Sequence, residues 1–427
     1  MPSKTVLSFA AVLLTASALQ PERPDSKALD ALIRAAVDAR QVPAAVAMVA
    51  TSRKVVYTGA AGVPADAIFD IASMTKPITS VAVMQLVEAG KVQLDQPAHT
   101  YLPELRTLQV LEGGKLRAPK SAPTVRQLLA HTSGFAYEFF SREISEYVQA
   151  GKLASGFTGT DQFLRAPLVA DPGSRWEYGI STDWLGKIVE AVSGQPLDVY
   201  FRSRIFEPLG MADTFYEVPA SKQSRLAPPH ARQKDGTLGP LPPPPSKAAT
   251  LVLGGGGLHS TAADYLAFAQ ALLAGGQASG RRLLKAETVT LMGNNQLGDA
   301  VFSAPVSQNP QFIVRNLVLP GAPDAFGLGF ALNRKPLASG RGAGTMSWAG
   351  VFNTFFWIDR DRDVCAVLMA QLLPFGDAGP VKLMEDLDRI LYKSYRVSRA
   401  GPPLPPQLPT RSPVLSLRAG SASRPIV

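Results

Sequence analysis

Ile71-Ala72-Ser73-Met74-Thr75-Lys76-Pro77 contains the only Ser-x-x-Lys of this sequence. Val81, Val83, Met84, Leu86 and Val87 follow it, and Ala89-Gly90 closes the run. That pattern predicts a helix stopped at Gly90, with Ser73 at or near its start. Lys76 lies three residues on, so amine and hydroxyl share a face. A helix start also offers free backbone N–H groups and a partial positive charge. A weak nucleophile, a nitrogen base one turn away and local positive potential are what serine acylation requires. A blander reading makes Ser73 an N-cap and Lys76 a surface residue of the first turn. The rest of the chain decides between them.

The 427 residues are 46% hydrophobic and 18% charged, enough for a sizeable core and two lobes. The net charge of +9 is uneven. Residues 396–427 carry Arg396, Arg399, Arg411, Arg418 and Arg424 and no acid. With no basic stripe interleaved with aromatics elsewhere, the charge reads as a solvated tail, and no nucleic-acid partner is expected. Cys365, the single cysteine, sits in an apolar run and reads as core. His99, His131, His230 and His259 lack metal-ligand spacing, so neither metal nor cofactor is expected.

Lys4, the apolar run from Val6 to Leu14 and Ala16-Ser17-Ala18 have the form of a secretory signal peptide cut near Ala18. The expected location is periplasmic or secreted, with an uncleaved N-terminal anchor or a plain N-terminal extension as the alternatives. The run is short for a span, and no other stretch reads as one, so no stable membrane insertion is expected.

Apolar periodicity over residues 25–41 predicts a helix, and residues 43–51 and 55–58 two strands joined by a polar turn. Residues 96–245 read as helices and loops, including helices near 124–130 and 184–192. Pro240 to Pro245 reads as an extended linker between lobes. Thr261 or Ser260 can cap a helix over 262–273. Strands are expected at 326–332, 345–348, 354–358 and 364–369, then a helix near 381–395. The tail from 396 is rich in Pro, Ser and Arg and reads as disordered. The expected fold is α/β (α+β). An antiparallel sheet flanked by helices is built from residues 25–95 and 250–395. A mostly helical lobe, 96–245, completes the 19–395 domain, with a site in the cleft.

Five ordered motifs carry a resemblance: Phe69 to Lys76, Leu128 to Gly134, Pro172 to Tyr178, Gly255 to Tyr265 and Ser347 to Gly350. Together they resemble the serine β-lactamase and penicillin-binding-protein superfamily over roughly residues 25 to 395. Within it they look most like the class C-like branch that includes the family VIII carboxylesterases. The resemblance implies Ser73 as acyl-accepting nucleophile and Lys76 as holder of its proton network. It implies Tyr178 as general base, alone as phenolate or in a relay with Lys76, and later as proton donor to the leaving group. A neighbouring ammonium is expected to lower its pKa. The implied oxyanion hole is the backbone N–H of Ser73 and Val351, approached closely past Ala349 and Gly350.

Two departures bear on the substrate. The Asn expected two residues after the tyrosine is Ile180, and the Lys-Thr-Gly element of penicillin-recognising enzymes is Trp348-Ala349-Gly350. A carboxylate-binding cation is thereby lost, and tryptophan offers an apolar wall. The branch resembled usually has Trp-Gly-Gly, so Ala349 is a milder departure. A small neutral ester is the expected substrate, cleaved by a serine hydrolase. A β-lactamase, a D-amino-acid peptidase, a transacylase and a non-catalytic ligand-binding member stay open. A triad through His131 is not expected, because His131-Thr132-Ser133-Gly134 fits a turn capping a helix.

Overall fold

The computed structural model describes residues 24–241, 251–278, 280–314 and 316–393. The signal-like stretch 1–18, the polyproline run from 242 onward and the 396–427 tail lie outside the described residues.

Seven strands form one sheet: β1 (Ala45–Ala50), β2 (Val55–Ala61), β3 (Ala325–Phe326), β4 (Ala331–Asn333), β5 (Thr345–Gly350), β6 (Thr354–Asp359) and β7 (Val364–Met369). Their order is β3-β4-β5-β6-β7-β1-β2. Every neighbouring pair is antiparallel. β1 lies between β7 and β2, with Val46 opposite Met369 and Ala50 opposite Cys365. Two distant parts of the chain therefore build one sheet. β1, β5, β6 and β7 are buried at every residue, so both faces are covered. Such strands read as continuous apolar runs rather than alternating ones. Phe355, Phe356 and Trp357 of β6 are fully buried. Each such side chain contributes about 1.5–3 kcal/mol against exposure.

Five helices frame the sheet and the site: α1 (Ser26–Asp38), α2 (Thr75–Glu88), α3 (Ser181–Ser193), α4 (Ala262–Leu273) and α5 (Ala378–Leu391). α4 packs on β1, β6 and β7, and α1 packs on β1, β2 and α5. The Thr261 side chain caps α4 by accepting from the Asp264 N–H at 3.1 Å. Buried Arg341 ties the loop before β5 to α5 through Asp388, and its guanidinium stacks 4.5 Å over the Trp357 ring.

Three details differ from the sequence reading. The expected strand 326–332 is the hairpin β3–β4, because Gly329 turns the chain at φ +95°. The 96–245 segment also carries short strands, Val110–Glu112 with Lys115–Arg117 and His230–Arg232 with Leu238–Pro240. Three-residue strands are too short to show a period. α5 starts at Ala378 because the Asp377 side chain caps it on the Gly379 N–H. Among the described residues no helix is long and apolar enough to cross a membrane.

Candidate active site

Ser73 lies in a 3₁₀ turn, Ala72–Met74, that leads directly into α2. The short strand Ile68–Asp70 delivers it, and the Ala72 N–H donates to Asp70 Oδ1 at 2.9 Å. Ala72 takes φ +42°, a left-handed conformation that costs a non-glycine residue about 1–2 kcal/mol. This sharp corner leaves Ser73 half-buried at the mouth of a cavity while Lys76, in the first turn of α2, is 2% exposed.

Three motifs that are far apart in sequence meet at Ser73. Tyr178 donates its hydroxyl to Ser73 Oγ at 2.8 Å, and Lys76 Nζ lies 3.2 Å from the same oxygen. The His131–Gly134 turn holds the Tyr178 segment in place. His131 O accepts from Glu177 N–H at 2.8 Å, and Thr132 O accepts from Gly173 N–H at 2.7 Å. Gly179 passes so close that a Cβ there would sit 2.4 Å from Phe135 O. His131 packs edge-on to Tyr178 and is fully buried. Burial and the Lys76 charge push its pKa well down, so it is neutral.

As an ammonium, Lys76 has all three donors matched: Ser73 Oγ at 3.2 Å, Tyr137 OH at 2.9 Å and Gly255 O at 2.6 Å. Tyr137 donates onward to Asp183 Oδ2 at 3.4 Å, and Asp183 Oδ1 accepts from Gly255 N–H at 2.9 Å. α2 and α3 pack together, with the 254–257 glycine run against them. A Cβ on Gly254 would lie 2.2 Å from Thr182 O, so only glycine permits this approach. Burial outweighs the Asp183 charge and pulls the Lys76 pKa down to about 8. Burial also pushes Asp183 and Tyr137 up.

Tyr178 departs from expectation. Its pKa is raised, not lowered, because burial dominates over the Ser73 hydrogen bond. The hydroxyl is a phenol in this arrangement. The Trp348 indole lies close enough to favour phenolate somewhat, yet its N–H makes no hydrogen bond of good geometry.

Ser73 and Tyr178 open onto a cavity of about 130 Å³ that Ala349, Gly350 and Val351 also line. Phe140, Phe312, Leu317 and Phe375 make its walls apolar. Gly350 is required there, since a Cβ would fall 2.4 Å from Ile71 O. Trp348 is not on the cavity wall. It is 1% exposed and stands behind Tyr178, ring centroids 5.1 Å apart. β-Strand alternation turns its ring into the core while the backbone that follows it lines the cavity. Ile180 precedes α3 and lines a neighbouring cavity of about 140 Å³, with Tyr137 shared between the two. Among the described residues no three His, Cys, Asp or Glu side chains converge as a metal site requires. Cys365 is buried in β7, where burial pushes its thiol pKa up.

Tyr137, Asp183 and Gly255 are absent from the sequence-based site. Asp183 is an acid in the first turn of a helix, where carboxylates are common for the helix dipole alone. Tyr137 stands in an aromatic run that reads as core.

The chain is similar to several known proteins. It is 35% identical over 374 residues to Protein Rv1367c of Mycobacterium tuberculosis, covering 81% of this chain and 89% of that protein. It is 29% identical to the monacolin J acid methylbutanoyltransferase of Aspergillus terreus, covering 86% and 96%. It is 29% identical to Esterase EstB of Burkholderia gladioli, covering 83% and 92%. The unliganded simvastatin synthase (LovD) structure from Aspergillus terreus superposes with a TM-score of 0.73 at 27% identity, covering 87% of this chain and 99% of that one. The Beta-lactamase family model matches residues 29–388, so the chain belongs to the beta-lactamase family and is a serine hydrolase.

Proposed function

We propose that the chain cleaves small neutral carboxylic esters through an acyl-enzyme on Ser73. The observation that carries this is the Tyr178–Ser73–Lys76 contact, at 2.8 and 3.2 Å, at an apolar cavity. No side chain among the described lining residues is basic, and the apolar walls favour a neutral substrate.

Burial supports a division of labour between Lys76 and Tyr178. With its pKa near 8, Lys76 is partly a neutral amine at neutral pH, keeping N–H bonds to Tyr137 and Gly255 and turning its lone pair to Ser73. Lys76 takes the Ser73 proton as Oγ bonds the acyl carbon. The carbonyl oxygen gathers charge between the N–H groups of Ser73 and Val351. The C–O bond to the alcohol then breaks, and the Tyr178 phenol protonates the leaving oxygen. Tyr178 phenolate, beside the Lys76 ammonium, next takes a proton from the attacking water. The acyl–Oγ bond breaks and Lys76 returns its proton to Ser73. Tyr178 thus acts first as acid and then as base, the reverse of the order expected from sequence.

Transfer of the acyl group to an alcohol is the second reading. It is favoured by the apolar cavity walls and by similarity to a methylbutanoyltransferase. The test is parallel turnover of p-nitrophenyl butyrate and nitrocefin, with and without an added alcohol. Fast ester cleavage with slow nitrocefin cleavage supports the esterase. Nitrocefin turnover rivalling that of the ester overturns it, and ester product exceeding free acid makes the chain a transferase.

A further inference from the structure

Lys76 is joined twice to a single buried carboxylate. Asp183 Oδ1 holds the Gly255 N–H at 2.9 Å, and the carbonyl of that same residue accepts from Lys76 Nζ at 2.6 Å. Asp183 Oδ2 accepts from Tyr137 OH at 3.4 Å, and that hydroxyl accepts from Lys76 at 2.9 Å. Asp183 is 3% exposed, so its charge acts through protein rather than water. Gly255 is shaped to it, since a Cβ there would stand 2.6 Å from Asp183 Oδ2.

We infer that Asp183 is a positioning residue that sets the proton affinity of Lys76 through Tyr137 and the Gly255 backbone. This rests on the reading of Lys76 as the base. Ile180 occupies the place where a side-chain amide was expected, and Asp183, one turn further along the chain, reaches the lysine by relay.

The groups facing Lys76 on each packed element support this assignment. From α3 comes Asp183, whose charge raises the lysine pKa against burial. From the turn before Tyr137 comes His131, which burial keeps neutral. Tyr137 and Tyr178 are phenols, because burial raises both. The 254–257 run contributes backbone only. Without the Asp183 charge, burial alone would govern Lys76. The amine would then be deprotonated at lower pH but would be a weaker base.

The experiment is the rate of Ser73 labelling by a fluorophosphonate as a function of pH. Fluoride leaves without needing the Tyr178 proton, so the profile reports the base. Asp183→Asn keeps size and a carbonyl acceptor for Gly255 while removing the charge. The midpoint should move down by about one pH unit, the low end for an opposite charge, and the plateau should fall. Tyr137→Phe should move it the same way by less. A folded Asp183→Asn protein with the wild-type midpoint would overturn the inference. If that variant fails to fold, an unmoved midpoint in Tyr137→Phe overturns it instead. Wild-type labelling of Lys76→Ala would remove the base assignment itself, and this inference with it.

Discussion

Tyr178 donates a hydrogen bond to Ser73 Oγ at 2.8 Å while burial holds its pKa above that of an ordinary phenol. In the proposed mechanism this makes Tyr178 the proton donor to the leaving alcohol. We therefore expect Tyr178→Phe to depend on the leaving group. Alkyl butyrates, whose alkoxide needs a proton, should lose at least ~10²-fold in kcat. p-Nitrophenyl butyrate, whose phenolate leaves unaided, should lose less in its acylation step. Equal losses on both esters in pre-steady-state acylation would show that Tyr178 acts as the base for Ser73.

The pH dependence follows from Lys76. Burial lowers its pKa to about 8, and in the proposed mechanism the neutral amine is the active form. kcat/KM should be low in acid and rise tenfold per pH unit up to a bend near pH 8. A bend near the ordinary lysine value, above pH 10, would mean that Lys76 is not desolvated in the working enzyme.

Gly350→Ala places a methyl 2.4 Å from Ile71 O and 2.3 Å from Thr354 Oγ1. β5 must then shift away from the turn that carries Ser73. We expect ester turnover to fall by at least tenfold and stability by about 1–3 kcal/mol, the usual range for overpacking. Urea unfolding and initial rates check both. Unchanged activity would show that this strand edge does not approach the reacting carbonyl.

Away from the site, Arg341 and Asp388 form an ion pair with side chains 1% and 12% exposed. Asp388→Ala leaves a buried guanidinium without its carboxylate and should cost about 3–5 kcal/mol. Arg341→Met, Asp388→Leu together should recover most of that loss. Thermal unfolding of the three proteins tests this, and a single-variant loss below ~1 kcal/mol would contradict it.

Local chemistry made part of this molecule legible from sequence. Ser73 and Lys76 share one turn, so three-residue spacing was sufficient. The Thr261 cap and the apolar runs of β1, β6 and β7 were equally local signals. Tyr178 was placed only through the family resemblance, because no spacing links it to Ser73. Asp183 and Gly255 were missed for the same reason: their roles exist only where α3 and the glycine run meet α2. The direction of the Tyr178 pKa and the inward turn of Trp348 depend on burial, which one motif cannot report. The substrate argument therefore moves from Trp348 to the aromatic and aliphatic side chains of the cavity.

The most direct test of the account is to quench a reaction with p-nitrophenyl butyrate early and map the modified peptide. The account predicts a butyryl group on Ser73 in the wild type, accumulating in Tyr178→Phe because deacylation lacks its base, and absent in Ser73→Ala along with ester turnover. Butyryl transfer to another residue, or undiminished turnover by Ser73→Ala, would contradict it.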